Sequence, residues 1–347
     1  MKRFAVLDAF RGLFALVIVF FHTKDYNGIT DNAFVNNGDL FVSFFFVLSG
    51  FVIAFVYYNR IKNRPTLFEF IKNRFFRLYP LHLYTLLVFA AFELTRIYLY
   101  NHGYFTHPEP SNNNLSTFLS NVFLLNATPV GGGLSWNYPS WSISAEFITY
   151  LIFGLLMFLL RKNRLVKMII IALVPVAVIM LSYFISSLIF EAVTGFFLGV
   201  IVYKLYNRYR TLEKLSKVSG SIIEVVIFTL TIIMVCNKPA FLNCLYVYSF
   251  LFALNIYLFA FEKGILSSLL KKDCFQVLGK YSYSIYLNHA IVIEVVNFVL
   301  VRFLKLQGAV LYIVPFIIAA ITIAYSALTY KYIEARFYKK RLHNKTF

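Results

Sequence analysis

A chain of 347 residues that is 60% hydrophobic and 19% aromatic, with a mean hydropathy of +0.72, is too apolar for a soluble globular domain, where about 45–50% is usual. Its formal charge of +18 would suggest nucleic acid in a soluble protein. Here the Lys and Arg fall between apolar runs, where they set topology and meet anionic lipid, so a bilayer is the expected partner and nucleic acid is not. The three cysteines, Cys236, Cys244 and Cys274, lack metal-ligand spacing, and no metal site is expected.

A membrane span needs about 17–25 mostly apolar residues. The first falls at 4–22. Met1-Lys2-Arg3 ahead of it imitates a signal peptide, but Asp8 and Arg11 interrupt the apolar run and no small-residue cleavage site follows, so a retained span is predicted. Further spans are predicted at 39–58, 78–100, 141–160, 165–184, 187–206, 221–236, 241–261, 281–303 and 309–330. The longest loop, about 101–140, is polar and Asn-rich around Ser111–Asn114, and its Gly131-Gly132-Gly133 run permits tight backbone geometry. Within it, 115–126 is too short an apolar stretch to span and is expected at the interface. The expected fold is an all-α integral membrane protein of about ten transmembrane helices, a single domain over 1–347.

Lys and Arg concentrate in one set of connections, from Lys2, Arg3 and the Arg60–Arg77 cluster to Lys331–Lys345. The alternate set holds only Lys24, Arg96, Lys238, Arg302 and Lys305. Both termini are therefore expected in the cytoplasm and the 101–140 loop outside it, in a plasma (inner) membrane of bacterial type. The absence of a visible internal repeat weighs against a transporter of two inverted halves.

Ionisable residues inside spans are costly, so each is a functional candidate. Arg11 and His22 lie eleven residues apart, on nearly one helix face and about 16 Å apart along the axis. Asp8 can pair with Arg11, either as a structural ion pair or as part of a site. Glu146, near the start of the fourth predicted span, is expected at the depth of His22, where a carboxylate would orient the imidazole as a general base. Otherwise it caps its helix or meets Lys24 or Arg302. Arg74 and Arg77 stand at i, i+3 before Tyr79-Pro80 and suit phosphate oxygens, although every inward loop is basic for topology. His289 either contacts a ligand or satisfies a core hydrogen bond with Tyr or Ser. His82, His102, His107 and His343 show no partner pattern.

These residues resemble a known family. Leu7-Asp8-Ala9-Phe10-Arg11-Gly12 followed by His22 is similar to the first-span signature of acyltransferase-3 proteins, an Arg or Lys, ten residues, then His. Asp39-Leu40-Phe41 through Leu48-Ser49-Gly50-Phe51 resembles the second-span segment, and Arg74-Phe75-Phe76-Arg77-Leu78-Tyr79-Pro80 the Arg-x-x-Arg motif. Gly131-Gly132 with Ser140, then Trp141-Ser142-Ile143-Ser144-Ala145-Glu146, and Tyr281 to His289 follow in the family's order. The chain departs from the pattern at Glu334-Ala335-Arg336, where the family often has Glu, one residue, then Pro, which puts a role for Glu334 in doubt. The hydrolase-like extracytoplasmic domain that some members carry is not seen.

The resemblance implies transfer of an acyl group, commonly acetyl, from cytoplasmic acyl-CoA to an acceptor at or beyond the outer leaflet. It implies His22, oriented by Glu146, as the base, with Arg11 supporting the donor. Arg74 and Arg77 would hold the coenzyme phosphates, and the pantetheine arm would pass Ser49 and Gly50. Ser140, Trp141, Asp39 and His289, with Trp136 and Tyr138, are expected around the acceptor. A hydroxyl of a surface polysaccharide or lipid-linked saccharide is the first expectation, and a non-sugar acceptor such as an antibiotic, peptide or lipid the second. A polyprenyl-glycan transporter would use the same charged interior but survive loss of His22, and a scaffold leaves Arg11 and His22 unexplained.

Overall fold

The computed structural model describes residues 2–26, 28–104, 112–185, 187–238 and 245–337. His107, Ser111, Cys244, His343, Lys339, Lys340, Arg341 and Lys345 lie outside the described residues, as does the side chain of Arg302. Among the described residues all regular structure is helical. The order is α1 (Ala5–Phe21), α2 (Ala33–Asn36), α3 (Phe41–Tyr57), α4 (Arg64–Asn101), α5 (Leu115–Val122), α6 (Trp141–Leu159), α7 (Arg164–Ser182), α8 (Leu188–Arg208), α9 (Lys217–Asn237), α10 (Leu245–Phe259), α11 (Ile265–Leu270), α12 (Asp273–Val296) and α13 (Val314–Thr329).

Among the described residues, eight helical stretches are long and apolar enough to cross a membrane, by length and composition. The other two predicted segments are occupied by α1, of 17 residues, and α10, of 15. The largest departure is α4, which begins at Arg64 rather than 78. Asn63 and Thr66 form a reciprocal capping box and Pro65 falls in the first turn, so a polar lead-in starts as helix well before the apolar part. At 38 residues α4 is about 57 Å long, roughly twice the hydrocarbon thickness, with Arg74 and Arg77 in its first half. The short α5 exposes Leu115 and Leu119, and Phe123 at its C-terminal end is exposed as well.

Two close helix contacts organise the bundle. A Cβ on Gly50 of α3 would lie 1.9 Å from the Phe196 carbonyl oxygen of α8, and one on Gly199 would lie 2.0 Å from that of Val47. Small residues allow this approach, which dispersion then stabilises. In the second contact, a Cβ on Gly12 of α1 would lie 2.5 Å from the Gly279 nitrogen, and one on Gly279 of α12 would lie 2.3 Å from the Asp8 carbonyl oxygen. Phenylalanines fill the space between these pairs. Phe14 stacks on Phe41 at 4.2 Å and meets Phe44 edge-on at 4.7 Å. The outer faces of α7 and α9 expose Leu173, Val176, Ile222 and Val226, as lipid-facing surfaces do.

Candidate active site

The N-terminal end of α1, the first half of α4 and the start of α12 enclose a cavity of about 920 Å³. Its cationic lining includes Arg3, Arg11, Arg60, Arg74, Arg77 and Lys280. A second cavity of about 440 Å³ shares Arg11, Arg74 and Arg77 with it and runs deeper between α1, α3, α6 and α12. Arg11 stands 3.7 Å from Asp8, which also accepts from Arg3 at 2.8 Å, so the expected Asp8–Arg11 pair is present. The Arg74 guanidinium lies 5.5 Å from the Tyr57 ring centre, and that of Arg77 lies 5.3 Å from Tyr283.

Arg77 also donates to Glu334, whose other oxygen accepts from Ser284 at 2.8 Å. Glu334 belongs to a π-helical turn, Tyr330–Glu334, that continues α13. The departure at Arg336 therefore leaves Glu334 buried against Arg77, a role the sequence motif did not disclose. One arm of the Arg77 fork is occupied, so the two guanidiniums are not equally open to phosphate.

Half-way into the second cavity, Ser49 and Tyr150 both donate to Oε1 of Glu146, at 2.6 and 2.5 Å. Among the described residues no hydrogen bond to Oε2 is seen, and Glu146 lines the cavity. Beyond Glu146, the Tyr286 hydroxyl accepts from Ser142 Oγ at 2.8 Å and donates to the Pro139 carbonyl at 3.2 Å. Tyr283, Tyr286 and His289 recur every three residues and form one stripe of α12. Tyr283 and Tyr286 line the cavity, and His289 stands past its end.

His289 is fully buried. Its Nδ1 donates to the Tyr286 carbonyl at 2.7 Å, which leaves Nε2 as a buried acceptor without a protein partner. Its ring stacks on His22 with centres 5.2 Å apart, and the Tyr138 ring closes on His22 at 4.9 Å. The Gly12–Gly279 contact explains this pairing. His22 and His289 each stand ten residues beyond their glycine, so two parallel helices with equal rise bring the imidazoles level.

A family of acyltransferase domains matches residues 4–329, nearly the whole chain. The chain belongs to the acyltransferase-3 family. Two curated relatives agree over shorter stretches. "Acyltransferase MdmB" of Streptomyces mycarofaciens is 35% identical over 127 residues, covering 36% of this chain and 30% of that protein. "Protein 2 in picA locus" of Rhizobium radiobacter is 41% identical over 92 residues, covering 26% and 46%. The matched stretches thus span less than half of each relative. No solved structure matches.

This acyltransferase-3 protein corrects several expectations. Glu146 does not meet His22. Ser142 is level with Tyr286, and Glu146 lies one turn deeper, so it falls about 10 Å below the level of the histidines. Nor does it pair with Lys24, whose ammonium lies over Phe21 at 4.9 Å. Gly50 faces the α8 backbone and lines neither cavity, while its neighbour Ser49 lines the second. Ser140 is fully buried, donating to Asn121 at 3.0 Å and accepting from Asn126 at 3.1 Å, so it holds the loop rather than an acceptor. Trp141 packs edge-on against Phe46 at 5.9 Å. Asp39 is 3.9 Å from Lys238, away from both cavities. His82, unassigned from sequence, donates through Nε2 to the Asn121 carbonyl and so joins the loop scaffold.

The long loop closes the histidine end. Asn121 bridges to Ser135 at 3.0 Å, and Asn137 donates to Thr85 and to the Leu287 carbonyl at 3.0 and 3.1 Å. Gly132 and Gly133 take φ of +78° and +67°, the tight geometry expected of the triple glycine.

Proposed function

We propose that this chain transfers a short acyl group, acetyl or close to it in size, from acyl-CoA to a hydroxyl of a lipid-linked or surface saccharide. The observation that carries this reading is the pair of linked cavities. They begin among Arg11, Arg74 and Arg77 and end at Tyr286, directly before the His22–His289 stack. The cationic mouth suits the coenzyme's phosphates. The narrower second cavity suits the pantetheine arm, with Glu146 Oε2 available to accept from its amides. No metal takes part in this reading.

In the reaction, His22 takes the proton from the acceptor hydroxyl as its oxygen attacks the thioester carbonyl. The C–O bond forms, the C–S bond breaks, and the proton passes on to the departing coenzyme thiolate. Both termini and the arginine mouth lie on the cytoplasmic side, which the Lys and Arg distribution supports, and ten helices cross the membrane. The Asn-rich loop and Tyr138 then face the acceptor on the other side.

The test is transfer from labelled acetyl-CoA added to the cytoplasmic face of inverted vesicles, comparing wild type with His22→Ala. Label reaching a saccharide acceptor in wild type alone supports the reading. Equal labelling in both removes His22 as the base, and none in either, with both proteins expressed, overturns acetyl transfer.

A further inference from the structure

The donor cavity does not run open to the histidines. Tyr286 of α12 and Phe45 of α3, whose ring centres lie 5.9 Å apart, line it towards the histidines, with Val42 one turn further along α3, and neither His22 nor His289 lines it. The Tyr286 ring also meets His289 at a tilt, with centres 5.8 Å apart. Tyr286 thus stands between that space and the His289 imidazole. It is 7% exposed, and its hydroxyl is fixed at two points on the opposite helix turn, Ser142 Oγ and the Pro139 carbonyl. Moving this side chain costs both hydrogen bonds.

Phe45 is held as well, meeting Phe44 edge-on at 6.0 Å. The two rings present apolar carbon beside the Ser142–Tyr286 hydroxyl pair, and the next polar collar, Glu146 with Ser49 and Tyr150, lies one turn back along the cavity. A coenzyme arm threaded past that collar directs its acyl carbons at these rings, so the room left before them limits the chain.

We propose that Tyr286 and Phe45 form the stop that sets the longest acyl chain this protein transfers. The proposal rests on the acyl-CoA reading above and adds the residues that decide which acyl-CoA serves. An apolar pocket discriminates by about 10–200-fold for one methylene too many. The wild type is therefore expected to lose rate by that factor per carbon once the chain reaches the two rings.

The experiment measures transfer from acetyl-, propionyl-, butyryl-, hexanoyl- and octanoyl-CoA by wild type, Tyr286→Phe, Tyr286→Ala and Phe45→Ala in vesicles. Tyr286→Phe keeps the ring and should keep the wild-type length profile. Tyr286→Ala and Phe45→Ala should move the cut-off to longer chains, raising the hexanoyl-to-acetyl rate ratio by at least about 10-fold. If Tyr286→Ala fails to fold, the Phe45→Ala profile decides. Alanine variants that transfer acetyl with an unchanged cut-off would overturn the stop while leaving acyl transfer intact. A wild type that uses none of the five donors would overturn the transfer reading and the stop with it.

Discussion

Gly279→Ala probes how the two histidines are aligned. The added Cβ would stand 2.3 Å from the Asp8 carbonyl oxygen, and ordinary contact at 3.4 Å requires α1 and α12 to part there by about 1.1 Å. Backbone cannot rotate away as a side chain can, so the helices must shift as bodies. Overpacking of this kind costs about 1–3 kcal/mol, offset by up to about 1 kcal/mol from alanine's better helix propensity. Stability therefore falls modestly. The rate is hit harder, because a displacement of about 1 Å between reacting groups can cost about 100-fold. The assay is acyl transfer in vesicles beside thermal unfolding in detergent. Gly154→Ala is the control, since the atoms nearest its Cβ would be side-chain carbons of Leu67 and Phe70, at 3.0 Å, rather than backbone. Gly279→Ala with the rate and unfolding temperature of the wild type would refute the view that this crossing sets the His22–His289 register.

Arg74→Gln should raise KM for acyl-CoA about 10-fold or more with a smaller change in kcat, and should flatten the salt dependence of KM, as steady-state kinetics across ionic strengths will show. Glu334→Ala should destabilise by about 2–3 kcal/mol in thermal unfolding, because Arg77 loses the carboxylate beside it. The double variant Arg77→Met with Glu334→Leu should lose less than Glu334→Ala alone, the sign of a coupled pair. Asn121→Ala breaks links from the loop to Ser135 and Ser140 and should cost about 1–3 kcal/mol, detected as faster proteolysis of the loop in intact vesicles.

The helices were legible because apolar length is a coarse signal, and each predicted segment holds one helix. Boundaries failed where polar residues carry on a helix, as from Arg64 to Arg77, because a capping box rather than hydropathy starts it. Arg11, Arg74 and Arg77 were legible as costly cations, and the cavities bring them together. Span ends read from hydropathy misplace Glu146 relative to His22, because depth is fixed by where helices cross. Ser140 was misread for a similar reason: a polar residue at a helix start serves a loop or a ligand equally well until its partners are known. The Tyr283, Tyr286, His289 stripe and the matching ten-residue offsets from Gly12 and Gly279 were present in the sequence. They gain meaning only once α1 and α12 are known to touch.

The two ends of this protein are held by different forces. At the arginine end the recorded ties include charge pairs, Asp8 with Arg11 and Arg77 with Glu334, in or beside an open cavity. At the loop end most are amides, hydroxyls, carbonyls and one buried imidazole, beside the ion pairs Glu93–Arg96 and Asp39–Lys238. Added electrolyte weakens the first kind and leaves the second nearly untouched. A concentrated salt wash of membranes should therefore strip a phosphate-bearing donor from its mouth while the far side stays shut, which gives a simple way to empty the protein without unfolding it.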